Sequence, residues 1–102
     1  MLGIDLVYLP EFKTKMKNVS SENVFLPIEL SQNKTSESLA GVFAAKEAFF
    51  KAIGKKENWL DVWIEKKKNG KPELYSTLIK DSQKPEVSIS HAGEYAAAIV
   101  IL

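Results

Sequence analysis

The sequence predicts an α+β fold, a buried central helix packed on a mostly antiparallel sheet. Three observations carry that expectation. GIDLVYL, residues 3–9, alternates like a strand; residues 36–54 form one helix apolar on almost every side; and beyond residue 60 the apolar period changes from helical to alternating. At 102 residues the chain is expected to be one domain, residues 1–102.

In the opening strand, Ile4, Leu6 and Tyr8 share one face and Asp5, Val7 and Leu9 the other. Both faces are apolar, so the strand is expected to be covered on both sides. Asp5 is then anomalous, because a desolvated carboxylate needs a cation, a metal or several donors. PEFKTKMKNV follows as a helix with Pro10 in its first turn, Lys13 and Lys17 on one face and Lys15 on another. PIELS starts a second short helix at Pro27. The polar SQNKTSES, residues 31–38, has no periodicity and reads as a loop that orders with ligand.

The long helix runs from a cap at Ser36 to a stop at Gly54. Leu39, Val42, Phe43, Phe49, Phe50 and Ile53 make a wide apolar arc, and Ala40, Ala44 and Ala48 occupy the rest with only Glu47 and Lys51 charged. In LDVWIEKKKNGKPELY, Asn69-Gly70 signals a hairpin turn. STLIKDSQKP reads as a short helix or turn, and EVSIS and EYAAAIVIL as strands joined by HAGE. The expected order is β-α-α-α-β-β-β-β.

Composition narrows the function classes. Fourteen basic residues against thirteen acidic ones give a net charge of +1, which argues against a generalised nucleic-acid binder. No cysteine is present, so disulfides and thiolate metal sites are excluded. The opening MLGIDLVYLPEF lacks a basic segment and does not read as a secretory leader, and no apolar run reaches membrane-spanning length. A soluble, cytoplasmic protein without nucleic-acid or membrane partners is expected. A single His, no Walker loop and no Rossmann glycines remove three further classes.

Four features remain that carry chemistry. Asp5 is either hydrogen-bonded to a neighbouring turn or a metal ligand. Glu47 and Lys51, one helical turn apart, are either a surface pair or a cation holder beside a phosphate contact. As part of that second feature, Lys46, just before Glu47, lies inside the apolar arc and either snorkels along it or reaches a bound anion. SISH, residues 88–91, ends a strand at His91, and NGKP, residues 69–72, is explained by its turn alone. Two carboxylates without His or thiolate partners favour a hard ion such as magnesium, held together with substrate phosphates.

The pairing of GID at 3–5 with FAAKEAFFKA at 43–52 resembles the signature of phosphopantetheinyl transferases. With LAGVFAAKEAFFKAIG, NGKP and VSISHAGEYAAAIVIL in order and spacing, the chain is similar to the small stand-alone holo-acyl-carrier-protein synthases. The resemblance runs from Gly3 to the C-terminus and is poorest between Lys13 and Ser38. It implies that family's fold and the transfer of 4′-phosphopantetheine from coenzyme A to a serine of apo-acyl carrier protein, releasing adenosine 3′,5′-bisphosphate. By position it implies Asp5 and Glu47 as magnesium ligands and Glu47, Lys51 and His91 as the catalytic groups. Lys46, Lys51, Gly70, Lys71, Pro72, Ser90 and His91 then become candidate coenzyme A contacts. The serine's base is Glu47 through a water or a hydroxide on the ion. A homotrimer with clefts between subunits is also implied.

Two positions depart from the family pattern. Val42 stands where an Arg is common, and Glu11 where a basic residue is usual. Lys13 and Lys17, with Lys15, are then candidates for docking the acidic carrier protein, against the alternative of a solvated basic helix. Two other classes stay in view: a homologue that binds coenzyme A or carrier protein without turnover, and a purely structural α+β oligomer.

Overall fold

A computed structural model describes all 102 residues. The order is β1 (Leu2–Tyr8), α1 (Leu9–Lys17), α2 (Pro27–Gln32), α3 (Ser36–Ile53), β2 (Val62–Lys66), β3 (Pro72–Ser76), β4 (Glu86–Ala92) and β5 (Tyr95–Ile101). The expected element order holds. All pairing is antiparallel, but the strands form two sheets, β1-β5-β4 and the hairpin β2-β3.

Helix α3 lies across β1, β5 and β4 and is buried at eleven of its positions. The close approach comes from small residues on both partners. Ala44, Ala45, Ala48 and Ala52 of α3 meet a sheet face built from Gly3 and Val7 of β1 and Ala96, Ala98 and Val100 of β5. Phe12, Phe25, Phe43, Phe49, Phe50 and Trp59 fill the far side of the helix. Gly54 ends α3 with φ 79°, a left-handed conformation that costs a glycine little.

The opposite sheet face departs from expectation. Ile4 and Leu6 are 63% and 64% exposed, and Leu2, Tyr8, Tyr95 and Ile101 are exposed beside them. Register makes this one patch, since Leu2 pairs with Ile101 and Tyr8 with Tyr95. Alternation reports that a face is apolar; it does not report whether the same chain covers it.

The expected loop at residues 31–38 shrinks to three residues between α2 and α3. Asn33 is buried there, its Nδ2 donating to the Glu29 carbonyl at 2.7 Å and its Oδ1 accepting from Ser38 Oγ at 2.5 Å. Thr35, not Ser36, caps α3, its Oγ1 accepting from the Ser38 amide at 3.1 Å. The 69–70 turn does join β2 to β3, with Gly70 at φ 83°. The last turn is tighter than HAGE: β4 runs on through Ala92, so His91 lies in a strand.

Lys46 corrects the expectation of an anion contact. Its side chain is fully buried and lies 2.7 Å from Glu29 Oε1, and its Nζ also donates to the carbonyls of Val24 at 2.6 Å and Trp59 at 3.2 Å. Glu29 in turn accepts from the amides of Leu26 and Ile64, each at 2.9 Å. Burial pushes the Lys46 ammonium below the usual lysine range, and the Glu29 carboxylate opposes it. The pair ties α3 to α2 and to β2.

Breaking a buried ion pair on one side leaves the other charge uncompensated. Lys46→Met is expected to cost about 3–5 kcal/mol in urea denaturation. Adding Glu29→Gln to it should restore part of that loss by removing the stranded charge. A single variant within about 1 kcal/mol of the parent would contradict the clamp.

Candidate functional site

Gly3 sets the position of the first carboxylate. A Cβ there would lie 1.8 Å from the Ala48 carbonyl oxygen, so only glycine lets β1 rest directly on α3 at this point. Two residues on, Asp5 shares the helix-facing side of the strand, paired across to Ala98. Glu47 adjoins Ala48 on the helix. The two carboxylates line one cleft of about 730 Å³ between β1, α1 and α3, with Tyr8, Pro10, Lys15 and Phe43 among its walls.

Both carboxylates meet lysines. Lys51 Nζ donates to Asp5 Oδ1 and to the Ile4 carbonyl, each at 3.0 Å. Lys56 Nζ sits 3.5 Å from Glu47 Oε1 and 4.5 Å from the centre of the Trp59 ring. Lys15, expected beside Lys13 and Lys17 as a candidate for carrier docking, reaches over Phe43 at the cleft wall. At its edge the negative charge of Glu94 raises the Tyr8 phenol above its ordinary range. Lys13 and Lys17 are exposed and enter no ion pair.

The donor chemistry of this cleft fits a hard divalent ion. Asp5 and Glu47 supply two carboxylates; Glu11 also lines the cleft, but no three such groups gather closely enough to form a complete ligand set, which would leave an ion positions for phosphate oxygens and water. A closed protein cage would need more ligands.

His91 does not line that cleft. It lines a second one, about 190 Å³, with Ser38, Val42, Lys66, Gly70 and Pro72. Its Nε2 lies 3.0 Å from the Glu37 carbonyl, and its ring rests on Gly41, where a Cβ would come within 2.8 Å of Nε2. Lys66 Nζ donates to the Gln32 carbonyl and to Ser38 Oγ, both at 3.2 Å. Lys71 lies one groove further along the hairpin, with Pro72 common to both. Ser90 alternates to the other side of β4, across from Ala97 and in line with Leu6, and joins neither cleft. Thus Gly70, Pro72 and His91 come together, Asp5, Glu47 and Lys51 come together, and the two groups share no lining residue.

Lys56, Ser38 and Lys66 escaped the sequence reading. Lys56 follows the left-handed Gly54, so helical periodicity from Glu47 does not extend to it. Lys66 opens a run of three lysines, which reads as a solvated turn until Ser38 and Gln32 are placed against it.

A family model described as the 4′-phosphopantetheinyl transferase superfamily matches residues 1–100. The holo-[acyl-carrier-protein] synthase of Shouchella clausii is 45% identical over 115 residues, covering 99% of this chain and 95% of that protein. The corresponding protein of Bacillus pumilus is 36% identical over 115 residues, covering 99% and 93%. Among solved structures, Helicobacter pylori holo-[acyl-carrier-protein] synthase in complex with coenzyme A has a TM-score of 0.88 at 30% identity, covering 99% of this chain and 98% of that one.

Proposed function

The chain belongs to the 4′-phosphopantetheinyl transferase superfamily, and from that membership we propose that it transfers the 4′-phosphopantetheine of coenzyme A to a serine of apo-acyl carrier protein. The observation that carries the reading is the convergence of Asp5 and Glu47 on one cleft. The serine Oγ forms a bond to the β-phosphorus, the bond from that phosphorus to the bridging oxygen breaks, and adenosine 3′,5′-bisphosphate leaves with the electron pair.

Asp5 and Glu47 would hold a divalent ion, magnesium by their chemistry, which when bound neutralises the charge of the pyrophosphate. Lys51, on the same helix one turn from Glu47, offers its ammonium to the oxygens of the leaving phosphate. Glu47 is the carboxylate of this chain able to take the serine proton through a water, since a serine hydroxyl is a weak nucleophile until it loses it. His91, Gly70, Lys71 and Pro72 would receive the nucleotide portion. Lys46 and Ser90 take no part, the first because it is buried in the clamp and the second because it faces away. Lys13 and Lys17, free of acidic partners, present a positive face to the acidic carrier protein.

The second cleft and the exposed strand face support a homotrimer with sites between subunits. An apolar patch of this extent marks an interaction surface, and a substrate that needs both clefts is served when a neighbouring copy supplies the second. No helix is long and apolar enough to cross a membrane; cytoplasmic residence completes the proposal. Val42 in the second cleft favours an alternative, a catalytically weak homologue that binds coenzyme A or carrier protein.

One assay separates the readings: apo-carrier protein, coenzyme A and magnesium are incubated and the carrier is weighed. A gain of about 340 Da, the covalent adduct, is expected, and Glu47→Gln should lower turnover about 100-fold or more. An unchanged carrier mass with coenzyme A bound would establish the weak homologue instead. With Lys13→Glu and Lys17→Glu together, KM for the carrier should rise about 5-fold or more, with KM for coenzyme A unmoved. Equal changes in both constants would refute docking on α1.

A further inference from the structure

The Asp5 carboxylate already has a cation. Lys51 closes over it, donating to Asp5 Oδ1 and to the Ile4 carbonyl. The Asp5 side chain is 13% exposed and that of Lys51 55%. The carboxylate is therefore fixed in the wall, and the ammonium reaches it from solvent on a flexible stem. Of the other charged groups at this cleft, Glu47 faces Lys56, Lys15 lies over Phe43, and Glu11 lines the wall. Only Lys51 occupies Asp5.

We propose that Lys51 is the resident cation of the ligand-free site, and that a divalent ion gains Asp5 only when the phosphates of coenzyme A draw Lys51 away. The inference rests on the reading of Asp5 and Glu47 as the ion's ligands. Two cations on one partly buried carboxylate repel each other strongly, so the ion must displace the ammonium or wait for it to leave. An arriving phosphate gives Lys51 a new partner within reach of the same helix position and adds oxygens for the ion. Ion and nucleotide then bind with positive coupling, and linkage makes the coupling equal in both directions. A lysine that served only as a phosphate contact would leave ion affinity unchanged when no phosphate is present. That difference makes the device measurable without turnover.

Free Mn²⁺ is followed by electron paramagnetic resonance as it is titrated into the protein, with and without coenzyme A and with no carrier protein. Without coenzyme A, Lys51→Met should bind Mn²⁺ at least about 10-fold more tightly than the parent. Lys51→Arg should remain as weak as the parent, and Lys15→Met, which removes a charge from the same cleft without touching a carboxylate, should change affinity by less than about 3-fold. Coenzyme A should tighten Mn²⁺ binding more in the parent than in Lys51→Met. Folding of each variant is checked by circular dichroism, and the Arg variant keeps the test decisive if the Met variant is unstable, since tight binding by Lys51→Arg would also overturn the proposal. Equal affinities for the parent and Lys51→Met, or equal gains from Lys51→Met and Lys15→Met, overturn it while leaving the transferase reading intact. No Mn²⁺ binding by any form, even with coenzyme A, overturns it together with the metal assignment beneath it.

Discussion

The structure depends on a missing side chain. At Gly3 the strand backbone lies against the Ala48 carbonyl, and the nitrogen of Ala52 is only 2.8 Å from where a Cβ would stand. That contact fixes the height of β1 over α3 and, through strand alternation, the side of the strand that Asp5 occupies. The small residues of β5, Ala96 and Ala98, extend the same close approach to the next strand. A larger residue at position 3 would push β1 outward, and Asp5 would move away from the helix that carries Glu47 and Lys51. Packing geometry and site geometry are one constraint here.

Helix α3 shows how burial divides one residue type into two roles. Lys46 is sealed among Phe25, Val24 and Trp59 and neutralised by Glu29, so its charge serves the join between α2, α3 and β2. Lys51, on the solvent side of the same helix, keeps an exposed ammonium beside Asp5. Glu47 lies between these two lysines in sequence and opens into the cleft. By anchoring β2, the Glu29 pair also holds the hairpin that brings Gly70 and Pro72 toward His91.

Much of this was legible in the sequence, and the gaps have physical causes. The extent of α3, its left-handed stop at Gly54, the hairpin at Asn69-Gly70 and the element order follow from period and turn chemistry. The oddity of Asp5 in an apolar strand was visible, but its pairing with Glu47 came from resemblance to a family, because alternation cannot say which helix lies above a strand. Lys46 looked like an anion contact because a helical wheel shows that a lysine is inside, not that Glu29 waits on another helix. The resemblance implies Ser90 beside His91 as a coenzyme A contact, but adjacent strand residues point to opposite faces, and Ser90 lies on the side of Leu6. Ser36 looked like the cap of α3, but Thr35 stands one position earlier and takes that place. The face of Ile4, Leu6 and Tyr8 is exposed against expectation, because apolarity alone does not distinguish cover by the same chain from cover by another.

One chain carries an acidic cleft and a separate histidine-bearing cleft, and the proposed site needs one of each from neighbouring copies. Mixing tests this most directly. Chains carrying Glu47→Gln and chains carrying His91→Ala, each poorly active alone, are co-expressed in equal amounts and assayed together. Random assembly gives intact pairs of clefts at about a quarter of the interfaces, so the mixture should recover roughly a quarter of the parent turnover. A mixture no more active than the better of its two parents would contradict a site shared between subunits.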